Sequence, residues 1–189
     1  ALDLYASKVE LQSSMAEAEQ EVPVHVSLMI NSPPEEVYQF WRKLENLPRF
    51  MSYLESVTEL DQRRSEWSAR MPGGVQLRWQ SEIVEDQPGR LLSWRTIDGS
   101  EINHVGSVRF DPAPDGNGTQ IRVEVYYGMP GGSAAVKAAE LVSMAPEAMV
   151  SADLRRLKQL IETGEIATTR GQPTGKRSIL GRALSKGES

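Results

Sequence analysis

Alternating apolar and polar residues predict most of the secondary structure of this chain. Over Val24–Ile30 the alternation is that of a strand, and it recurs in six later segments. The predicted strands are Val24–Ile30, Tyr53–Leu60, Glu66–Met71, Val75–Glu85, Arg90–Thr96, Ile102–Phe110 and Gln120–Met129. Short turns rich in glycine and proline separate the later strands and leave no room for crossover helices, so the pattern predicts antiparallel hairpins.

Two short helices are predicted between the first and second strands. Ser32 is placed to cap the first of them, which begins with Pro33 and Pro34. The second covers Asn46–Met51 and is interrupted at Pro48.

A longer helix is predicted near the C-terminal end, over Ser133–Thr163, and Gly164 ends it. Because Pro146 cannot donate the backbone hydrogen bond of a helix interior, the helix should kink or break there. Its inner apolar stripe consists of Val150, Leu154, Leu157 and Ile161. A strongly curved antiparallel sheet of seven strands wrapped around this helix would bury the apolar faces of both, which predicts an α+β fold.

Composition divides the chain into three zones. Residues 1–21 carry one lysine and five acidic residues and predict an N-terminal helical extension, which lies on the domain or pairs with a second subunit. Residues 22–163 behave as one domain. Residues 164–189 carry five basic and two acidic residues among many glycines, which predicts a flexible basic tail.

Charge and residue content exclude several classes of function. The chain has no cysteine, two histidines and a net charge of −5, so we expect no metal, no cofactor and no nucleic-acid partner. No apolar run is long enough to span a bilayer, and residues 1–20 lack the pattern of a signal peptide. We expect a cytoplasmic protein that is a monomer or a homodimer.

Several sequence motifs, in their order along the chain, resemble those of a known superfamily. They are Ile30–Tyr38, Leu44–Met51, Leu92–Trp94, Gly106–Phe110, Gly118–Val123, Tyr127–Gly132 and Asp153–Glu165. On these residues the chain resembles the START-like (SRPBCC, helix-grip) superfamily and, within it, bacterial polyketide cyclase/dehydrase-type proteins. The resemblance covers about residues 22–165 and implies a deep apolar cavity between the sheet and the C-terminal helix. Members include lipid carriers, hormone receptors, quinone-binding proteins and aromatase/cyclases, so the fold alone does not select a function.

Strand alternation assigns an aromatic and methionine-rich set of side chains to the inward face of the sheet. The candidate ligand-binding residues are Trp67, Met71, Leu77, Trp79, Trp94, His104, Val108, Val125, Tyr127, Met129, Met144 and Met149. This set lines a cavity or packs as a solid core. The acidic residues of the long helix, namely Glu140, Glu147 and Asp153, are expected to face solvent.

His104 is the one ionisable residue predicted on the inward face and the one candidate for catalysis. It is either a hydrogen-bonding or acid/base group for a ligand, or a neutral core histidine bonded to a backbone carbonyl or to Tyr127. With so few inward acid/base groups, we expect a protein that binds or carries a small hydrophobic or aromatic molecule such as a lipid, a quinone or a polyketide-like compound. The alternatives are a metal-free cyclase/dehydrase of the lyase type that uses His104, and a protein-interaction module with a filled core.

Overall fold

The computed structural model describes residues 22–97, 100, 102–128 and 145–164. Seven strands form one antiparallel sheet in the order β1-β7-β6-β5-β4-β3-β2. Their bounds are β1 Val22–Ile30, β2 Leu54–Glu59, β3 Arg64–Arg70, β4 Gln76–Gln87, β5 Leu91–Thr96, β6 Asn103–Pro112 and β7 Thr119–Gly128. All seven predicted strands are confirmed, with every bound within two residues of the predicted one.

The sheet is a meander from β2 to β7, and β1 then pairs with β7 along its whole length. Irregular register interrupts the ladder near Glu55 on β2 and near Val84 on β4. Irregularities of this kind bend strands and increase their twist, which helps the sheet to curve. The curvature gives the sheet a concave face on which the inward side chains converge.

Two short helical elements follow β1, as predicted. Helix α1 spans Pro34–Arg42, and a 3-10 helix spans Leu44–Arg49. The expected cap is wrong, because Pro33 occupies the N-cap position and makes no side-chain cap bond. Ser32 lies one residue too early for capping, and its hydroxyl donates instead to Oε2 of Glu36 at 2.5 Å.

The C-terminal helix α2 spans Pro146–Thr163 and so begins at the proline where a kink or break was predicted. Ala145, which precedes it, has a left-handed backbone with φ of 51°. The helix ends at Gly164, whose φ of 75° suits a residue without Cβ. The rest of the predicted helix, 133–144, lies outside the described residues, as do the expected extension over 1–21 and the tail over 165–189.

Helix α2 is attached to the end of β1 by polar contacts as well as by its apolar stripe. The Lys158 ammonium donates to the carbonyl oxygen of Met29 at 2.7 Å, and the backbone N–H of Asn31 donates to Oε1 of Glu162 at 2.7 Å. Leu157 has no exposed surface. The position of the helix relative to the sheet is therefore set by both packing and hydrogen bonds.

The buried apolar residues form two separate clusters. The main cluster joins α1, the 3-10 helix, α2 and every strand except β3, and it includes Phe50, Phe110 and Leu154. The second cluster, at the β3–β4 end, consists of Ala69, Leu77 and Trp79. The concave face is thus packed at both ends, and the candidate site lies between them.

Candidate functional site

One aromatic side chain from each of five neighbouring strands lies on the concave face where the two clusters adjoin, and one of the five, Trp79, is itself a member of the β3–β4 cluster. These residues, which we call the aromatic surface, are Trp67 (β3), Trp79 (β4), Trp94 (β5), His104 (β6) and Tyr127 (β7). Trp79 is 8% exposed, and the other four are partly exposed although they point inward. In a solidly packed interior, rings of this size would be covered. Their residual exposure indicates that the two clusters leave part of this row of rings uncovered.

Ring contacts connect most of the aromatic surface. Trp67 and Trp79 are direct strand partners and stack with ring centroids 5.8 Å apart. Trp79 meets His104 edge to face at 5.8 Å, and His104 meets Tyr127 at 5.9 Å. The indole N–H of Trp67 donates to the Ser65 hydroxyl at 2.8 Å. The rings therefore hold one another in defined orientations.

The Trp94 ring can lie over the neighbouring strand because the residue opposite Trp94 is a glycine. Trp94 and Gly106 face each other directly on β5 and β6. A Cβ atom at residue 106 would lie 2.6 Å from Cζ2 of Trp94, closer than carbon atoms can approach. The indole lies across β6 as a result, and its N–H donates to Nδ1 of His104 at 3.3 Å.

His104 is neutral at ordinary pH in this environment. Burial lowers its pKa from 6.5 to about 4, because the apolar surroundings disfavour the charged ring. For a neutral His104, the sequence predicts a backbone carbonyl or Tyr127 as the hydrogen-bonding partner. The hydrogen-bonding partner is instead the Trp94 indole, which strand alternation alone could not select.

Small polar side chains cross the same face next to the rings. Ser65 and Ser81 are direct partners on β3 and β4, and Ser81 faces Thr96 on β5. The Thr96 hydroxyl accepts the backbone N–H of His104 at 3.1 Å and so continues the row to β6. The hydroxyl of Ser81 and the indole nitrogen of Trp79 are buried with no hydrogen-bond partner. Unpaired buried polar atoms are rare in native proteins and each needs a specific explanation.

Helix α2 contributes a carboxylate that the sequence analysis placed in solvent. Only 13% of the Asp153 side chain is exposed, so that expectation is wrong. Asp153 accepts the backbone N–H of Ser52 at 3.2 Å and pairs with Arg156, which itself donates to the carbonyl oxygen of Phe50 at 2.7 Å. Burial raises the pKa of Asp153 above its usual range.

Asp153 also affects the pKa of Tyr127 on the aromatic surface. Burial, and secondarily the negative charge of Asp153, raises the pKa of the Tyr127 hydroxyl to about 12. The signal for this position was present in the sequence, because Asp153 follows Val150 by three residues and precedes Leu157 by four. That spacing places it beside the inner stripe of the helix.

The remaining predicted site residues occupy three kinds of position. Leu77, Val108 and Val125 are buried in the two clusters, with exposures of 2%, 0% and 6%. Met71 packs against the β3–β4 cluster, and Met149 is partly exposed in the first turns of α2. Met129 and Met144 lie outside the described residues.

Two other structural features bear on the possible chemistry. Within residues 22–97, 102–128 and 145–164, no three His, Asp or Glu side chains come together in a way that could hold a metal ion. In the same part of the chain, no helix is long and apolar enough to cross a membrane.

The architecture is that of the helix-grip, START-like fold, a curved antiparallel sheet with a C-terminal helix. Residues 30–155 match the family described as polyketide cyclase / dehydrase and lipid transport. This match covers more than half of the chain, and the chain belongs to that family.

One relative by sequence and two solved structures illustrate the range of similarity. A structure from Deinococcus radiodurans is 32% identical, covers 76% of this chain and all of its own, and has a TM-score of 0.61. An uncharacterized 17.2 kDa protein of Streptomyces lincolnensis is 26% identical over 80% of this chain and 93% of its own length. The Zhui aromatase/cyclase of Streptomyces sp. R1128 is 15% identical over 78% of this chain and 100% of its own, with a TM-score of 0.62, a likeness of fold alone.

Proposed function

We propose that this protein binds a small, flat hydrophobic or aromatic molecule, such as a quinone or a polyketide-like compound, on its aromatic surface. The observation that carries the proposal is the partial exposure of Trp67, Trp94, His104 and Tyr127 between two separately packed clusters. The family, described by polyketide cyclisation or dehydration and lipid transport, supports a ligand of this kind.

Apolar burial would supply most of the affinity. Covering aromatic and aliphatic surface contributes about 25 cal/mol per Å² before the entropic costs of association are subtracted. Stacked and edge-on rings add a preference for flat ligands over spherical ones. His104 and Tyr127 contribute polar atoms at the same face and would orient the ligand by one or two hydrogen bonds.

A second candidate function is catalysis of the cyclase/dehydrase type without a metal. It is favoured by one specific observation: Asp153 lies largely buried near Tyr127, and each group has a pKa raised mainly by its own burial. A carboxyl with a raised pKa can act as a general acid, and the neutral imidazole of His104 can accept a proton. The likeness to an aromatase/cyclase supports this candidate at the level of fold.

Native mass spectrometry of the gently purified protein tests binding directly. We expect a co-purified small molecule, or a mass shift and tryptophan quenching on addition of quinones, flavonoids or fatty acids. Quenching is informative because three of the four tryptophans belong to the aromatic surface. No bound molecule and no response to the panel would overturn the proposal and favour a protein-interaction module.

The same purified protein can be used to distinguish binding from catalysis. If a ligand is recovered, its mass after incubation with the wild-type protein is compared with that after incubation with Asp153→Asn. Unchanged ligand in both samples supports a carrier. Conversion that depends on Asp153 supports the enzyme.

A further inference from the structure

We propose that Trp94 fixes His104 as the tautomer protonated at Nε2, so that the site selects ligands carrying an acceptor oxygen, such as the carbonyl of an aromatic ketone or quinone. The proposal rests on the proposed function, because it names the chemical class of molecule that the aromatic surface takes. Trp94 acts here as a positioning residue, through His104.

The first step is the direction of one hydrogen bond. An indole nitrogen can only donate, so Nδ1 of His104 must accept the Trp94 N–H across their 3.3 Å separation. A neutral imidazole carries one proton, on one of its two nitrogens. With Nδ1 occupied as the acceptor, the proton lies on Nε2.

The second step is that the fold leaves Trp94 little choice of position. Its ring lies against the backbone of Gly106, where a Cβ would approach within 2.6 Å of Cζ2 and 2.9 Å of Cε2. The same imagined atom would also lie 3.0 Å from the carbonyl oxygen of Glu124, so a side chain at 106 would be crowded from two sides. Gly106 therefore leaves the space that the indole needs in order to reach His104.

The third step concerns the other side of the imidazole. Trp79 and Tyr127 contact the His104 ring at centroid distances of 5.8 and 5.9 Å. Among the described residues, none accepts a hydrogen bond from Nε2. The aromatic surface thus offers an unpaired imidazole N–H donor, close to the unpaired indole N–H of Trp79 and the hydroxyl of Tyr127. A ligand oxygen that accepts this bond gains an interaction in low-dielectric surroundings, whereas a hydrocarbon of the same shape does not.

A matched pair of probes tests the selectivity. 9-Fluorenone and fluorene have nearly the same flat shape and differ by one carbonyl group. We expect wild-type protein to bind fluorenone about tenfold more tightly, the factor that one net hydrogen bond supplies. Equal affinities for the two probes would overturn the proposed selectivity and leave the proposed function intact. Binding of neither probe would count against both.

Two variants test whether the preference for fluorenone depends on Trp94. Trp94→Phe keeps an aromatic ring and removes the N–H, so we expect the preference for fluorenone to fall to about twofold or less. Trp67→Phe is the matched control, because it also removes a bonded indole N–H, the one that donates to Ser65, without touching His104. We expect Trp67→Phe to keep the tenfold ratio even if it weakens both probes. Loss of the ratio in both variants would contradict a specific role of Trp94.

Nitrogen-15 NMR measures the tautomer without any ligand. The chain has two histidines, and His25→Gln assigns the remaining signals to His104. We expect wild-type protein at pH 7 to show an unprotonated Nδ1 and a protonated Nε2, and Trp94→Phe to show a mixture of tautomers. A protonated Nδ1 in the wild type would overturn the proposal. This measurement needs only the wild-type protein and His25→Gln, so it decides the tautomer even if Trp94→Phe does not fold, and whatever the probes do.

Discussion

Trp94 and Gly106 face each other across β5 and β6, and the indole occupies the space that any other side chain at 106 would need. The pair places the Trp94 N–H against His104, and it gives the aromatic surface its central ring. A large side chain opposite a glycine is a packing arrangement that depends on both residues.

Gly106→Ala is expected to destabilise the protein by about 1–3 kcal/mol, because the added methyl group must displace the Trp94 ring in a packed strand pair. Urea unfolding measures the change, and tryptophan emission should shift with it. Ser107→Ala is the control, since this neighbour points to the opposite face of β6. Equal stability of the two variants would contradict the account of Trp94.

Stability should fall in acid through His104. The folded state binds a proton on this residue only below about pH 4, while the unfolded chain binds it below about pH 6.5. The unfolded state therefore holds more protons between these values, and the free energy of unfolding decreases as the pH falls from 6.5 to 4. The lost stability amounts to about 3 kcal/mol at most.

Unfolding of wild type and His104→Phe at pH 7 and pH 4.5 isolates this effect. We expect the wild type to lose stability on acidification and the variant to lose less. His25→Gln, which changes an exposed histidine, should behave as wild type. An identical pH dependence in His104→Phe would show that the surroundings of His104 do not lower its pKa in the folded state.

Helix α2 should be essential to the main cluster. Leu157→Ala removes a side chain with no exposed surface and is expected to cost about 2–5 kcal/mol. Arg155→Ala, on the exposed side of the same helix, should change stability by less than about 0.5 kcal/mol. If the melting midpoint of Leu157→Ala is unchanged, the packing of helix against sheet is not as the structure shows.

Arg156→Ala should leave the buried carboxylate of Asp153 without its charged partner and release the carbonyl oxygen of Phe50. We expect a cost of about 1–3 kcal/mol in chemical unfolding at pH 7. Adding Asp153→Asn removes the unpaired charge, so the double variant should be more stable than the sum of the single effects predicts. Simple additivity would mean that the two side chains do not interact.

Residues beyond Arg170 are expected to be dispensable for folding, because glycine, proline and basic residues dominate this part of the sequence. A chain ending at Arg170 should have the same urea midpoint as the full chain. A large drop would show that this segment packs on the domain or on a second subunit.

Local patterns were sufficient to predict the strands, the break at Pro146 and the end of α2 at Gly164. Each depends on a property of a few adjacent residues, namely period-two alternation, a missing amide hydrogen or freedom from Cβ. The inward assignment of Trp67, Trp94 and His104 has the same origin, because a strand turns alternate side chains to one face.

Burial and partnership depend on what the rest of the chain brings to that face. Val108 and Trp94 both point inward by alternation, yet Val108 has no exposed surface while Trp94 is partly exposed. The difference arises because the main cluster covers one end of the concave face and the β3–β4 cluster covers the other. A period of two identifies the face but carries no information about which part of it a helix will cover.

The sequence by itself determined the elements, their order and the side of the sheet on which the aromatic residues lie, since these follow from short-range stereochemistry. Only the tertiary structure decided that Asp153 lies near Tyr127 and that His104 is paired with Trp94. Those relationships join residues that are 26 and 10 positions apart in the sequence, on separate elements. They depend on the curvature of the sheet and on the position of α2 over it, which no local pattern records.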